Sequence, residues 1–455
     1  MSDHRRKIAI VHYRVGRTDG VSLEIAKRKH ILEMLGYSVR LISGPIQNGA
    51  NFIIDELEFE RPDIVEIKES SFDYFKGKLI DSEEMEKRIF SIAKKIEDAF
   101  LKYCWQEKFD AILSHNIYSM GLHLPAASAF TRIAEKLKIP VIATHHDYYW
   151  ERKEYQKPAN EFIKNYLKQF VPPSNNNIVH VCINSLAQSE LKMRRGINAL
   201  ILPDVFDFDQ PYMLLDDYNS DFLETINVKP HDIFVLQATR IVERKGIELA
   251  IHFVQELEKK KNKLIGKRLY NGKIIKKDSS IVFVVAGYPE KFDIHYLQKL
   301  KEEINRTGID ARFIYNIIDA ERRWDGKKIY SLWDAYLFAD IITYPSLLEG
   351  WGNQLIEAIF YKKPVVLYEY PVFKADIKKE GYYFISLGDK IIDRNDDGLV
   401  NIKSEKMNEA ISESLQVLSS DNTLNLMKEN LIIGSKYHGS QVLEKFLKQQ
   451  MNRYL

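Results

Sequence analysis

Short apolar runs alternate with amphipathic stretches of helical period along almost the whole sequence, and this alternation limits the fold more than any other feature. In the first repeat, residues 7–13 form a strand pattern, 14–20 a polar loop, and 21–35 a helix with its apolar residues on one face. Gly36 ends that helix, and residues 37–42 form the next strand pattern. Repeats of this kind are typical of mainly parallel sheets covered by helices. The sequence therefore predicts the α/β class.

The repeats fall into two blocks of similar size. Strand patterns occur at 109–114, 140–144, 179–184 and 200–203 in the first block, and at 233–239, 281–286, 312–317, 341–344, 364–368 and 382–386 in the second. Helix patterns in the first block occur at 84–104, 124–138, 157–170 and 185–195. Residues 203–211, between the blocks, contain two prolines and several acids without a clear period, which is typical of a hinge or linker. A chain of 455 residues also exceeds the size at which one core keeps growing. We therefore expect domains at 1–205 and 206–425, with a helix in 426–455 that packs back on the first domain.

Charge and cysteine content exclude several classes of protein. The formal net charge is only +2, so no global attraction to nucleic acid or to an anionic membrane is expected. No apolar run reaches the length of about 18 residues that a membrane span needs, and the charged start leads directly into a strand pattern without a signal peptide. Cys104 and Cys182 form no CxxC pair, which argues against a disulfide framework or a cysteine metal site. We expect a soluble, cytoplasmic protein that binds no nucleic acid, whose oligomeric state the sequence does not specify; peripheral membrane contact is not favoured.

Residues 259–277 depart from the repeating pattern because they are rich in lysine. Residues 268–275 within this insertion are typical of a hairpin around the Asn271–Gly272 turn. One interpretation is a basic patch for a membrane or a polyanion. The favoured interpretation is a solvated insertion between a helix and a strand.

Residues 344–358 carry the most informative pattern. A strand pattern ends near Tyr344, a glycine-containing loop follows, and a helix begins near Gly352. Ligands of open α/β sheets bind at the carboxyl ends of strands, and the backbone N–H groups at a helix start suit a diphosphate. Glu349 precedes the helix, while Asn353 and Glu357 share one helix face, so two carboxylates could bind two sets of ligand hydroxyls. The alternative is a helix start with incidental acids.

Residues 237–246 form a second anion-friendly loop. A strand pattern leads into Arg240, and Lys245 and Gly246 open the next helix. The planar guanidinium of Arg240 and the point charge of Lys245 together suit two neighbouring phosphates. Taken alone, the loop could simply be a charged surface loop. Two such loops in one block favour a diphosphate ligand.

A third cluster follows the strand pattern 140–144. It consists of His145, His146, Asp147, Tyr148, Tyr149, Trp150, Arg152 and Lys153. The aromatic rings could stack on an acceptor sugar, or they could begin a buried helix. Arg152 and Lys153 would suit an anionic acceptor, although a charged helix start is the simpler interpretation.

The two loops of the second block resemble the donor-site signatures of family-four retaining glycosyltransferases, the group 1 glycosyl transferases. Arg240-x4-Lys245-Gly246 is similar to the diphosphate-binding pair of that family. Glu349-x7-Glu357 resembles its paired-glutamate motif, with Pro345 and Ser346 before it and Ala358 after it, and residues 363–366 match the strand that follows.

Weaker similarities extend the resemblance over nearly the whole chain. Residues 7–42 resemble the opening unit of the family, although Asp19 and Gly20 replace the usual pair of glycines. Residues 203–207 are similar to the interdomain segment Pro-Asn-Gly-Val-Asp, but Asp204 and Val205 stand where Asn and Gly are usual.

The resemblance implies two Rossmann-like domains that face each other across a cleft, the GT-B fold. The first would be the acceptor domain and the second the nucleotide-sugar donor domain. A hexosyl group would move from a nucleotide diphosphate sugar, GDP-mannose or UDP-glucose, to an acceptor hydroxyl with retention at the anomeric carbon. No cofactor and no metal would be required.

The resemblance also implies roles for individual residues. Arg240 and Lys245 would neutralise the diphosphate, Glu357 would bind the ribose of the nucleotide, and Glu349 would bind hydroxyls of the donor sugar. The donor pocket would be completed by Gly20, Gly350, Trp351, Gly352, Asn353 and Gln354. By alignment with a Thr-x-His pattern, His146 would face the donor sugar, or His145 if the register is shifted by one residue.

The acceptor is the least specified part. Arg152 favours a small anionic acceptor such as a sugar-glycerate or a phosphoglycerate, and His145, Asp147, Tyr148 and Tyr149 are its other candidate contacts. A membrane lipid or polysaccharide acceptor is the alternative, suggested by residues 162–170 and the lysine-rich insertion. A sugar phosphorylase or a non-catalytic nucleotide-sugar-binding protein on the same fold are the alternatives from other classes.

Overall fold

The chain folds into two compact units. The structure, a computed structural model, describes residues 5–16, 20–45, 49–77, 80–290 and 293–455. Unit 1 consists of Met1–Val205 together with Ser440–Leu455, and unit 2 of Phe206–Gly439.

Unit 1 is built on a parallel sheet. Its described strands are β1 (Lys7–Val11), β2 (Ser38–Ser43), β3 (Phe52–Ile53), β4 (Ala111–His115), β5 (Val141–His145), β6 (Ile178–Cys182) and β7 (Leu200–Ile201). Its helices up to residue 205 are α1 (Gly20–Met34), α2 (Pro62–Ser71), α3 (Ser82–Glu107), α4 (Leu124–Leu137), α5 (Glu161–Phe170) and α6 (Ser185–Arg195). The strand order is β3-β2-β1-β4-β5-β6-β7. Every residue of β4 and β5 is buried, because helices cover both faces of the sheet.

The residues that follow β4, β5 and β7 lie at one edge of this sheet. Parallel strands direct their carboxyl ends to the same side, which is where open α/β sheets bind ligands. Helix α4 begins behind that edge, where the ring of His123 accepts a hydrogen bond from Ala126 N at 3.2 Å. This cap satisfies one of the backbone N–H groups that a helix start leaves without a partner.

Unit 2 also contains a parallel sheet with helices. Its described strands are β8 (Ile233–Gln237), β9 (Ile281–Val285), β10 (Asp310–Phe313), β11 (Ile318–Asp319), β12 (Arg323–Trp324), β13 (Lys328–Ser331), β14 (Ile341–Tyr344), β15 (Val365–Leu367), β16 (Ile385–Ser386), β17 (Ile391–Arg394) and β18 (Val400–Ile402). Its helices are α7 (Phe222–Thr225), α8 (Ile247–Lys260), α9 (Ile294–Thr307), α10 (Leu332–Phe338), α11 (Asn353–Phe360), α12 (Ser404–Ser419) and α13 (Thr423–His438).

The order of the main sheet, β10-β9-β8-β14-β15-β16, determines where a ligand can bind in unit 2. From β8 the chain passes outward to β9 and β10, and it then returns to β14 on the other side of β8. This reversal leaves the loops after β8 and β14 side by side, and such a switch point is the usual ligand crevice of a parallel sheet. Both anion-friendly loops therefore lie at one place. The predicted α/β class with two Rossmann-like sheets is confirmed.

Helix α14 (Ser440–Tyr454) belongs to unit 1, where it packs on α1. Its residues Leu443, Leu447 and Met451 join Ile25 and Leu32 in one buried cluster. The sequence pattern predicts that the segment returning to the first domain starts at residue 426. In the structure only residues from Ser440 onward join unit 1, and α13 packs on α11 inside unit 2. Both helices are amphipathic, and only the packing distinguishes them.

The segment after Val205, predicted as a hinge or linker, packs on unit 2. The ring of Tyr212 stacks on Phe360 at 4.3 Å between ring centroids, and Met213 N donates to Tyr361 Oη at 3.2 Å. Asp216 pairs with Arg322 at 2.6 Å. These contacts hold the acidic stretch against unit 2, although its sequence has no helical or strand period.

The lysine-rich insertion is anchored in the core of unit 2. Arg268 and Ile274 form the predicted hairpin's bridge, and Gly272 takes the left-handed φ of +91° at the turn. The buried carboxylate of Asp340 accepts hydrogen bonds from Asn271 Nδ2 at 2.6 Å and from Lys273 Nζ at 2.5 Å. The insertion is therefore tied to unit 2 at its turn, while most of its other lysines are exposed.

Within the part of the chain that the structure describes, no helix has the length and apolar character of a membrane span.

Candidate functional site

The loops after β8 and β14 are locked to each other by close backbone contacts. Leu347 N donates to Arg244 O at 2.8 Å. Gly246 has a φ of +57°, and a Cβ there would lie 2.6 Å from Pro345 O. A side chain at this position would therefore force the two loops apart, which explains why glycine opens α8.

A second glycine lets the loop after β9 approach the loop after β8. A Cβ at Gly287 would lie 1.8 Å from Thr239 O, far inside van der Waals contact. Beyond it, Arg240 is half-exposed and forms an ion pair with Glu290. Arg240 thus lies in the expected loop, but its partner belongs to the neighbouring loop.

Three charged side chains meet between the two locked loops. Lys245 Nζ forms an ion pair with Glu349 Oε1, and Arg244 Nη1 bonds to Glu349 Oε2 at 2.8 Å. The side chains of Lys245 and Glu349 are only 4% and 8% exposed. Because burial disfavours its charged form, the pKa of Lys245 is lowered. Burial acts to raise the pKa of Glu349, but the charges of Lys245 and Arg244 outweigh it, and the pKa is lowered. Glu349 is therefore ionised at neutral pH.

The second glutamate of the pair lies on α11, in its second turn. Tyr336 Oη, from α10, donates to Glu357 Oε2 at 2.9 Å. Tyr336 is fully buried, and burial together with the charge of Glu357 raises its pKa well above the usual value. The tyrosine therefore stays protonated and acts as a fixed donor to Glu357.

The start of α11 is shaped by one aromatic contact. Tyr370 Oη donates to Trp351 O at 2.6 Å, and a Cβ on Gly352 would lie 2.5 Å from the same hydroxyl oxygen. Trp351 is buried and packs edge-on against His438 at 5.1 Å. Asn353 is exposed and Gln354 partly exposed, so they are open to a ligand, and Gly350 lies in the exposed turn before them.

In unit 1, the two adjacent histidines at the end of β5 point to different neighbours. Residues next to each other in a strand project to opposite faces. His145 is buried, and its Nε2 bonds to His180 Nδ1 at 2.8 Å. His146 lies just beyond the strand: its backbone N donates to Asn116 Oδ1 at 2.8 Å, and its Nε2 bonds to His115 Nδ1 at 3.1 Å. His146 Nδ1 lies 3.4 Å from Asp204 Oδ1.

The remaining predicted residues of unit 1 are unequal in exposure. Tyr148 is fully buried and stacks on Trp150 at 4.3 Å between ring centroids. A ring buried in this way cannot stack on a sugar, which favours the interpretation of these aromatic residues as buried packing. Asp147 and Arg152 are partly exposed and form an ion pair at 2.9 Å, and Tyr149 is partly exposed.

Gly20 is the exposed first residue of α1. Asp19, the other member of the replaced glycine pair, lies outside the described residues.

Several residues around these sites escaped the sequence interpretation. Arg244 stands in the basic run of residues 243–245, where its charge was visible but its partner was not. Tyr336, His115 and Arg28 carried no local signal, because each contacts a residue far away in sequence. Among the described residues, no group of three or more His, Cys, Asp or Glu side chains is arranged to hold a metal ion.

Comparison with known proteins assigns this arrangement to a family. The family described as Glycosyl transferases group 1 matches residues 220–386, which contain both loops of the unit 2 site. The mannosylglucosylglycerate synthase of Petrotoga mobilis is 38% identical over 94% of this chain and 96% of its own length. The synthase of the same name from Thermotoga maritima is 35% identical over 98% of this chain and 99% of its own.

The fold has solved counterparts. The catalytic domain of starch synthase IV from Arabidopsis thaliana, bound to ADP and acarbose, superimposes with a TM-score of 0.61 at 12% identity and covers 99% of both chains. At that identity the likeness concerns the fold alone, which is the two-domain GT-B fold of glycosyltransferases. Full-length identity above 30% goes further, and with it the chain belongs to the group 1 glycosyl transferases.

Proposed function

We propose that this glycosyltransferase moves a mannosyl group from a nucleotide diphosphate sugar to a hydroxyl of glucosylglycerate, with retention and without a metal ion. The observation that carries the proposal is the full-length similarity to two mannosylglucosylglycerate synthases. GDP-mannose is the expected donor, with UDP-glucose as the alternative. A glycerate carboxylate makes the acceptor small and anionic, which agrees with the chemistry expected from Arg152.

The donor end of the proposal rests on the charged group between the loops of unit 2. Lys245 and Arg240 are proposed to neutralise the diphosphate as it leaves, and Glu349 to accept hydrogen bonds from hydroxyls of the donor sugar. The bond from Arg244 to Glu349 supports this division of roles, because it leaves Glu349 with a cationic partner when Lys245 binds phosphate. Cations and helix N–H groups positioned in advance stabilise developing negative charge without a metal.

The nucleotide end rests on α11. Glu357 is proposed to bind the ribose hydroxyls through its carboxylate, which Tyr336 holds in place. Asn353 and Gln354 are proposed to line the pocket at the start of the same helix. The role at the donor sugar expected for His146 stays a prediction.

The acceptor end rests on the partly exposed residues after β5. Arg152 is proposed to bind the glycerate carboxylate, with Asp147 and Tyr149 beside it. Arg152 forms an ion pair with Asp147, which would have to share it with the incoming anion. Arginine suits this role because its planar donor groups match a carboxylate.

A direct assay tests the proposal. Purified enzyme is incubated with glucosylglycerate and either GDP-mannose or UDP-glucose, in buffer with EDTA, and products are separated and identified by mass spectrometry. We expect a product one hexose heavier with GDP-mannose, and proton NMR of its new anomeric centre should show the configuration of the donor.

Each part of the proposal can fail separately. Transfer to glucose or glycerol but not to glucosylglycerate would overturn the acceptor. Activity abolished by EDTA and restored by magnesium would overturn metal independence, and an inverted anomeric centre would overturn retention.

A further inference from the structure

A buried polar cluster in unit 1 surrounds the ring of His146. Helix α1 presents Glu24, Lys27 and Arg28 on one face, and the exposed fractions of Glu24 and Arg28 are only 2%. His115 and Thr144 reach the cluster from the ends of β4 and β5, and Asp204 reaches it from the segment after β7. Arginine and glutamate are almost never fully buried unless they are paired, so the cluster has to be explained.

The hydrogen bonds of this cluster fix where the protons are. Arg28 Nη1 bonds to His115 Nε2 at 3.4 Å and to Thr144 Oγ1 at 2.6 Å. A guanidinium can only donate, so His115 Nε2 has to accept. Burial, with Arg28 and the neighbouring histidines, holds the pKa of His115 well below its usual value. A neutral His115 that accepts at Nε2 carries its proton on Nδ1.

The same logic continues to the next ring. His115 Nδ1 then donates to His146 Nε2 across 3.1 Å, which leaves the proton of His146 on Nδ1. That atom faces Asp204 Oδ1 at 3.4 Å. Arg28 thereby determines, through two imidazole rings, which nitrogen of His146 is protonated.

Charge balance explains the unusual residue at position 204. Lys27 bonds to Glu24 Oε1 at 2.5 Å and to the carbonyl of Val205, so its positive charge also reaches this region. Burial acts to raise the pKa of Asp204, but His146, Lys27 and Arg28 outweigh it, and the pKa is lowered. An ionised Asp204 places a negative charge beside Lys27, Arg28 and His146, which the more usual asparagine would not. Burial and this charge together raise the pKa of Glu24.

The cluster is not arranged for stability alone. Four buried atoms of this cluster, all in described residues, have no hydrogen-bond partner: Arg28 Nε and Nη2, Glu24 Oε2 and Asp204 Oδ1. Buried polar atoms left without partners are costly, and an apolar cluster of the same volume would be as stable or more so. Such a cost is typical of groups retained for chemistry.

We propose that Arg28, His115 and Asp204 are positioning residues that hold the His146 ring in one orientation and in its Nδ1-protonated form. His146 Nε2 is then occupied by His115, so turning the ring would break that bond and would move Nδ1 away from the Asp204 carboxylate. The consequence for catalysis rests on the proposed role of His146, whereas the consequence for the proton does not.

The tautomer is measured directly on the full chain. Long-range proton–nitrogen spectra of protein labelled with ¹⁵N-histidine distinguish protonated from unprotonated ring nitrogens, and His146→Gln identifies the His146 signals by their loss. We expect a protonated Nδ1 and an unprotonated Nε2. The opposite assignment, or rapid averaging of the two nitrogens, would overturn the proposal.

Variants then test the relay. His115→Leu and Asp204→Asn should lower kcat about tenfold to a hundredfold with little change in the KM of the donor. His115→Gln should retain more activity than His115→Leu, because an amide offers both an acceptor and a donor. The control is His180→Phe, which removes a comparable buried imidazole bond one strand away and should leave the His146 signals unchanged.

Two outcomes separate the possible failures. If kcat falls only in proportion to the fraction of each variant that is unfolded, these residues have a structural role alone. The proposal that they position His146 is then overturned. If His146→Gln keeps wild-type activity, the proposed role of His146 fails, and the spectra of the His115 and Asp204 variants still decide the relay.

Discussion

Arg244 gives Glu349 a second cationic partner besides Lys245. Spacing within the sequence identified both members of the pair, because each stands at a fixed distance from a helix start. Arg244 could not be assigned, because its contact with Glu349 depends on the loop of residues 345–349 folding back on it. The same holds for Tyr336, which is 21 residues from Glu357 in sequence yet bonds to it. The residues proposed to carry the chemistry could be picked out in the sequence, and the residues that contact them could not.

Replacing Lys245 with methionine separates charge from packing. We expect kcat/KM to fall at least about a hundredfold, because the charge proposed to neutralise the leaving diphosphate is lost. The free energy of unfolding should fall by only about 1–2 kcal/mol, because Arg244 still pairs with Glu349. Steady-state kinetics and urea unfolding measure the two effects.

The matched control is Lys259→Met, at an exposed position near the end of α8, the helix that follows Lys245. It should change both quantities little. A loss of less than threefold in Lys245→Met would remove Lys245 from the diphosphate site.

At the scale of elements, the long amphipathic helices and the buried strands follow from their periods. The predicted helix 185–195 coincides with α6, and the predicted 84–104 lies inside α3. The small strands β11 to β13 and the β17–β18 hairpin were not predicted. They have two to four residues each, too few for a period to show. The predicted strand 312–317 is two residues late at its start, because the polar Asp310 opens β10.

The cap of α4 makes stability depend on pH. The ring of His123 accepts from Ala126 N and donates to Glu56 O, which requires the neutral form. Burial lowers the pKa of His123 to about 4. Between pH 4 and about 6.5 the unfolded chain therefore holds a proton that the folded chain does not. The contribution of the neutral His123 cap to the free energy of unfolding is fully present above about pH 6.5, and it is lost as the pH falls from there to about 4.

His123→Asn keeps a capping acceptor and removes the titration. Between pH 7 and pH 5, the wild type should lose about 2 kcal/mol more of its unfolding free energy than this variant. Urea unfolding at both pH values measures the difference, with the exposed His30→Asn as the control. Equal losses in wild type and His123→Asn would show that the cap does not titrate in this range.

At the scale of the whole molecule, unit 1 is made of two separate segments of the chain and unit 2 of one. Unit 2 is one continuous segment, and unit 1 is completed by α14. The sequence loses its period near residue 205, and the first strand of unit 2, β8, begins only at Ile233. The sequence periods of α13 and α14 do not show that α13 belongs to unit 2 and α14 to unit 1. The unit to which each helix belongs depends on the core against which its apolar side chains pack.

Donor binding should stabilise the folded protein. A ligand at a hundred times its Kd adds about 2.7 kcal/mol, which raises Tm by a few degrees. We expect GDP-mannose to raise the Tm of the wild type and to raise that of Glu357→Ala much less. Differential scanning fluorimetry with GDP-mannose, UDP-glucose and mannose alone measures this. Equal shifts in the variant and the wild type would place the nucleotide away from α11.

The position of α14 also sets the order of events during synthesis. The ribosome makes residues 206–439 before it makes the helix that supplies Leu443, Leu447 and Met451 to unit 1. At about 5–20 residues per second, that delay is on the order of 10 to 50 seconds. Unit 2 can finish folding as it emerges, while the apolar side of α1 in unit 1 waits uncovered. The apolar residues of α1 that contact α14 in the finished protein therefore stay exposed in the nascent chain for that time.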